Sequence, residues 1–359
     1  MNEPRSLQEA AMSCYGYARQ STVPAGLWFC IPTATPRCFE GWAIPPFCIE
    51  APYAIRANGE PCQTRLSDTV HGGFQAQYDR FGIPELAARS VFGFEVPPGL
   101  RDQEIALTCH FADAPCSTFA TYFWPPDPQI QTPAFNMMRV ARTTNQGYFT
   151  LMGYTQYRHI KELAARHAAG ARDILDWGCG AARVLRHFAA DPAFRATGVD
   201  IDSFNIDWCR STFGEIAEFQ AIAPMDECPF ATGSFDVVYG ISVFTHLNPE
   251  SERFWLGELH RLLRPGGVAI MSVHGEMTFF KGINDFWIFD RLVNEGHVDV
   301  GACNDLDVNG KPTVDENLYR NVFHTRAYIQ RVWGRHFTIV DYIPGGVVAH
   351  QDYVVMIRR

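Results

Sequence analysis

The chain has 359 residues, enough for two domains of ordinary size, each with its own core. With 47% hydrophobic and 19% charged residues it has the composition of a globular protein, not of a disordered one. A net charge of −9 with no long Lys/Arg cluster argues against nucleic acid as a partner, and no apolar run is long enough to span a bilayer. The opening "MNEPRSLQEAA" lacks the basic-then-apolar order of a secretion signal, so the expected location is the cytoplasm with no membrane partner. The eleven cysteines include no C-x-x-C pair and fit no familiar zinc spacing. Buried, reduced thiols are expected, and no metal site is assigned.

Residues 1–130 read as a β-rich accessory domain. Prolines and glycines punctuate short aromatic and β-branched segments such as "SVFGFEVPPGL" and "EIALTCHFADA", a rhythm that predicts antiparallel strands compatible with a sandwich. Phe92, Phe94 and Val96 alternate as one buried strand face would. Pro125, Pro126, Pro128 and Pro133 make "FWPPDPQIQTP" a linker, because proline supplies no donor and interrupts helices and central strands.

Residues 131–359 form the second predicted domain. "YTQYRHIKELAARHAAG" has helical spacing and a glycine stop. The apolar runs "DILDW", "ATGVD", "FDVVYGI", "GVAIMSV", "FTIVDYI" and "DYVVMIR" then alternate with helices, which predicts an α/β fold with a mostly parallel sheet. Only "PGGVVAHQ" separates the last two runs, too little for a helical crossover, so the final strand should run antiparallel.

The first of these strands ends in Asp176 and passes through Gly178 and Gly180 into a predicted helix, whose free N–H groups would face a ligand. A dinucleotide fingerprint needs a third glycine where Arg183 stands, and no G-K-[ST] follows, so NAD and a P-loop nucleotide are both disfavoured. The pattern Asp176, Gly178, Gly180, Ala182 instead resembles motif I of the class I S-adenosylmethionine-dependent methyltransferases, with alanine in place of a last glycine. "ATGVDID", "PFATGSFDVV" and "LHRLLRPGGVAIMSV" continue the resemblance in order. It implies a Rossmann-like, seven-stranded, mostly parallel sheet with the last strand antiparallel, and S-adenosylmethionine as the cofactor. It also implies that Asp200 binds the ribose hydroxyls, with Asp202 a weaker substitute, and that Ile201 lies against adenine. Pro224 occupies the position of an adenine-binding acid, which leaves the Met225 backbone N–H and the Asp226 carboxylate for that task. Ile241 and Ser242 would line the methionine end.

The same resemblance implies a methyltransferase, whose acceptor the motifs leave open. A base is needed where the acceptor carries a proton, and imidazole suits the task. His246, His274 with Glu276, His324 and His350 all map to the ligand-bearing edge of the predicted sheet. His246, His274, Glu276 and His350 are the catalytic candidates. Residues 277–323 form an insertion in which Phe279, Phe280, Phe286, Trp287 and Phe289 cluster, a potential cap over an acceptor pocket. These features predict O-, N- or C-methylation of a small molecule with an apolar or aromatic portion, in specialised metabolism. "ISVF" stands where a base methyltransferase resembles [DNS]-P-P-[YFW], which again disfavours nucleic acid. A non-catalytic protein that keeps the fold and binds a carrier, sugar or partner remains the alternative, and a homodimer is open.

Overall fold

The computed structural model describes residues 27–32, 38–44, 53–66, 91–100, 103–111, 121–126, 131–275, 286–303, 319–347 and 351–359. Among them, β1 (Leu27–Pro32), β2 (Cys38–Ile44), β3 (Tyr53–Ala57), β4 (Glu60–Pro61), β5 (Gln63–Leu66), β6 (Val91–Glu95), β7 (Ile105–Phe111) and β8 (Tyr122–Trp124) form two antiparallel sheets. Their orders are β1-β2-β6-β5 and β4-β3-β7-β8. Phe94 and Val96 are buried as the alternation requires, while the side chain of Phe92 lies outside the described residues. The expected linker begins differently: Tyr122, Phe123 and Trp124 pair with β7 and are all buried. The prolines stop this strand after Trp124 instead of preventing it, as befits an edge strand.

The remaining elements are α1 (Ala134–Ala141), α2 (Gln146–His167), β9 (Asp173–Trp177), α3 (Leu185–Ala189), β10 (Arg195–Asp200), α4 (Ser203–Phe213), β11 (Glu218–Ala221), β12 (Phe235–Gly240), α5 (Pro249–Leu262), β13 (Leu263–Val273), α6 (Phe286–Glu295), β14 (His297–Ala302), β15 (Arg320–His324), α7 (Arg326–Val332), β16 (Phe337–Val347) and β17 (Gln351–Arg358). Seven strands make one sheet in the order β11-β10-β9-β12-β13-β17-β16. Pairs from β11 to β13 are parallel, and β17 runs antiparallel to both β13 and β16. The strand order reverses beside β9, which opens a crevice at the carboxyl ends of β9, β10 and β12.

Alternate residues of each strand feed separate cores. Ile174, Val237, Tyr239, Ile270 and Val355 pack with Ile160, Leu163 and Phe188 on one face. Leu175, Trp177, Val238, Met271 and Val354 pack with Trp255, Leu259 and Trp333 on the other. Both faces being covered explains why these strands read as nearly continuous apolar runs. The first core also includes Ile55, Phe94, Leu107, Tyr122 and Trp124, so the amino-terminal sheets share it with α2. Polar contacts fix that join: Thr155 Oγ1 accepts from Phe123 N at 2.8 Å, and Tyr154 OH donates to Glu104 at 2.5 Å.

Helix starts follow their caps. Asn145, Asp202, Asn248 and Thr325 each accept a backbone N–H of the first turn of α2, α4, α5 and α7. The insertion contains α6 and β14, and β15, which pairs with β14, closes it and ends at His324. Among the described residues no helix is long and apolar enough to cross a membrane.

Candidate active site

The turn after β9 is the centre of the site. Gly178 and Gly180 adopt φ of +82° and +50°, and a Cβ at either would press on Val243 or Val140. The predicted helix does not follow directly: turns occupy the chain up to Val184, and the short α3 starts only at Leu185. Nor are the N–H groups of the turn free for a ligand. Gly178 N and Cys179 N both donate to the Val199 carbonyl, at 2.8 and 3.0 Å, and Gly180 N donates to Asp200 Oδ2 at 2.7 Å. A pyrophosphate needs such donors. The turn instead gives its glycines as space and its neighbours as carboxylates. Ala182, the departure from the motif, sits at φ +50°, a left-handed conformation that glycine would occupy without strain.

A cavity of about 400 Å³ opens here, the size of a small-molecule site. Asp176, Gly178, Gly180, Asp200, Ile201, Ile241, Ser242, His246 and His274 all line it, so the structure brings these expected residues together. Met225 and Asp226 stand outside its lining; they fall in a turn, with Asp226 exposed, and Ile222 and Pro224 face the cavity from that segment. The reason is Trp255, whose indole N–H donates to the Pro224 carbonyl at 2.9 Å and draws Pro224 against the wall. Glu276 and His350 lie outside the described residues, as do Phe279, Phe280 and the side chains of Phe286, Trp287 and Phe289. His324 does not reach the cavity. It is fully buried with its Nε2 2.7 Å from Glu252, a buried carboxylate that needs a partner.

Two carboxylates set the electrostatics. Asp176 is 3% exposed, accepts from Tyr239 OH at 2.8 Å, and is pushed by burial up to about 8. Asp200 is pushed by burial up to about 6, while the N–H groups of Asp202 and Gly180 pull the other way. The Asp200 oxygens accept from these two groups at 2.8 and 2.7 Å, so the carboxylate is held rigidly at the wall. Asp202 is otherwise used: it caps α4 and pairs with Arg139 at 2.7 Å. Arg183, whose charge acts on Asp176, also lines the cavity, and its buried Nε makes no hydrogen bond; Gln156 Oε1, in the same lining, is likewise buried and unpaired. The donor set therefore suits a ligand carrying both cationic and anionic groups.

A polar chain continues the floor. Ser242, strained at φ +60°, receives Gln351 Nε2 on its hydroxyl at 2.8 Å, and Ser272 Oγ donates to Gln351 Oε1 at 2.6 Å. Gln351 Nε2 is also 3.4 Å from His274 Nε2. His246 stacks on Tyr319 at 4.1 Å and meets His274 edge-on at 6.3 Å. Sequence reasoning missed Arg183 as a wall residue, Gln156, Tyr239 and Tyr319. Of these only Tyr239 left a signal, a hydroxyl inside the aliphatic run "FDVVYG".

Residues 174–267 match the model of the family described as a methyltransferase domain. A protein of Mycolicibacterium smegmatis named a probable S-adenosylmethionine-dependent methyltransferase is 31% identical over 116 residues, 32% of this chain and 43% of that protein. A malonyl-[acyl-carrier protein] O-methyltransferase of Hahella chejuensis is 31% identical over 111 residues, 31% of this chain and 39% of the relative. A tRNA N(3)-methylcytidine methyltransferase of Drosophila melanogaster is 28% identical over 132 residues, 34% and 41% of the two chains. The chain spans less than half the length of each of these relatives. The matched segment carries Asp176, both turn glycines and Asp200, on a sheet of the expected order, and the orphaned Arg183 and Gln156 atoms give a zwitterionic ligand its partners. Residues 174–267 are thus similar to a methyltransferase domain, and the chain to a relative named as S-adenosylmethionine-dependent.

Proposed function

We propose that the chain methylates an O, N or C atom of a small molecule with an apolar or aromatic portion, in specialised metabolism, with His246 as the general base. The observation that carries this reading is the contact of His246 Nδ1 with a carbonyl oxygen. Its Nδ1 lies 2.8 Å from the Arg320 carbonyl oxygen, which only accepts, so Nδ1 carries a proton and, in the neutral ring, Nε2 carries the lone pair. Stacking on Tyr319 fixes the ring plane at the cavity wall.

When bound, S-adenosylmethionine supplies a methyl group on a positively charged sulfur, already activated. The protein must align the acceptor, exclude water and take any proton it loses. Asp200 and Ile201 would hold the nucleoside side, Asp176 with Arg183 the amino-acid side, and Ile241 and Ser242 the stretch between. Tyr319, His246 and His274 face the remaining space, an aromatic wall suited to a planar or apolar acceptor. His274, whose Nε2 lies 3.4 Å from Gln351 Nε2, is the second candidate base.

Calorimetry followed by transfer of labelled methyl tests the reading. S-adenosylhomocysteine should bind, and label should reach phenols, acids or amines in preference to total tRNA. Label in tRNA alone would remove the small-molecule acceptor; no binding of either cofactor form would remove the whole reading. His246→Asn should lower turnover by about 10²–10⁴-fold with cofactor affinity unchanged. Equal losses in both would place His246 in cofactor binding instead.

Asp200→Ala should weaken S-adenosylhomocysteine by about tenfold to a hundredfold, since hydrogen bonds to a charged group are worth about 1.5–3 kcal/mol. Unchanged affinity in a titration would strip Asp200 of its role toward the ribose.

A further inference from the structure

Helix α5 turns one face to the cavity through Ser251 and Trp255, and beside them a carboxylate into the protein. Glu252 is 1% exposed. Its Oε2 lies 2.7 Å from His324 Nε2, and its Oε1 accepts from Tyr328 OH at 2.8 Å. His297 opens β14 and meets the His324 ring edge-on, with ring centres 5.0 Å apart. One donor atom from each of Glu252, His297 and His324 lies within 4.8 Å of the other two. The hydrogen bonding of this cluster is incomplete. His297 Nε2 and His324 Nδ1 are both buried and make no hydrogen bond. Buried polar atoms are normally paired, and His324 is 0% exposed, so solvent does not stand in.

We propose that Glu252, His297 and His324 form a structural site for one divalent transition-metal ion of the zinc class, which ties the β14–β15 pair to helix α5. Two imidazoles and one carboxylate favour such an ion over magnesium or calcium, which take oxygen ligands. The ion takes the place of the hydrogen between His324 Nε2 and Glu252 Oε2, which the ring then carries on Nδ1, and the unpaired His297 Nε2 supplies the third ligand. Bond lengths of about 2.0–2.2 Å require the three donors to close by a fraction of the present spacing. Tyr328, bonded to the second carboxylate oxygen, orients Glu252 as an outer partner of a ligand does. The ligands come from α5, β14 and β15, elements far apart in sequence, so one ion cross-links the insertion to a wall of the cavity. The site is independent of the reading given for the cavity itself.

The test uses the full-length chain without an affinity tag. Metal content as purified should be one zinc per chain, and should fall to none in His297→Gln. After chelation, Co²⁺ as the probe should give the visible absorption of a low-coordinate nitrogen–oxygen site, which added Zn²⁺ abolishes. His297→Gln should weaken Co²⁺ by more than about tenfold, the least that loss of even an outer partner costs. S-adenosylhomocysteine binding of that variant, measured in parallel, should persist and so report that it folds. Absence of the cobalt absorption in the parent, an unchanged spectrum in His297→Gln, or a thiolate charge-transfer band assigning the ion to cysteines would each overturn the proposal.

Discussion

Gly178→Ala is expected to destabilise the chain by about 2–6 kcal/mol and to abolish cofactor binding. Two independent penalties add. At φ +82° an alanine is held in a conformation that costs about 1–3 kcal/mol for a residue with a Cβ. Its methyl group would lie 2.4 Å from Val243 Cγ2, and overpacking of a tight core costs about 1–3 kcal/mol more. Val243 cannot retreat freely, because it packs beside the second core under the site. Val243→Ala in the same chain should therefore recover the packing part and leave the backbone part, a coupling that a double-mutant cycle measures. Urea unfolding at constant m-value gives each term. An unfolding midpoint for Gly178→Ala equal to the parent's would show that the turn does not hold this conformation in solution.

That penalty is local, and local features were the ones legible in the sequence. "DILDW" predicts a strand, and β9 coincides with it residue for residue. A parallel strand buried on both faces announces itself by composition. β11 did not: in "EFQA" only Phe219 is buried, and an edge strand with one apolar anchor leaves no periodic trace. β14 and β15 pair across a long separation, so neither segment shows the register that defines it. The site divides in the same way. Asp176, Gly178, Gly180 and Asp200 fall at the ends of adjacent strands, where spacing alone brings them together. Gln351 reaches Ser242 across 109 residues and Tyr328 reaches Glu252 across 76, contacts that depend on the path of the whole chain. Even the helix predicted after the glycines failed for a tertiary reason. The turn spends its N–H groups on the Val199 carbonyl and on Asp200, which binds it to β10 and postpones the helix to Leu185.

Asp176→Asn should raise stability at pH 8 by several kcal/mol and leave it nearly unchanged at pH 4. Burial moves the folded-state pKa of Asp176 from 3.8 up to about 8. Between those values the folded chain keeps a proton that the unfolded chain has lost. The folded state thus binds more protons, so this group makes stability fall as pH rises through the window. The slope reaches about 1.4 kcal/mol per pH unit, which over about four units sums to about 5 kcal/mol. Asp200 contributes with the same sign over the narrower span from 3.8 to about 6. Asparagine keeps an oxygen for the Tyr239 hydroxyl and does not titrate, so the variant should lose the Asp176 part of the slope and retain the Asp200 part. Urea unfolding of both proteins from pH 4 to pH 8 makes the comparison, and parallel profiles would refute a raised Asp176 pKa. The destabilising acid has a use in the bound state. A cationic ligand favours the ionised form, so binding expels the proton, and affinity should rise with pH toward 8. S-adenosylmethionine carries one positive charge more than S-adenosylhomocysteine, so its affinity should rise more steeply in the parent, and the difference should shrink in Asp176→Asn. A buried acid left protonated in the empty site is a poor contribution to folding and a selective one to binding.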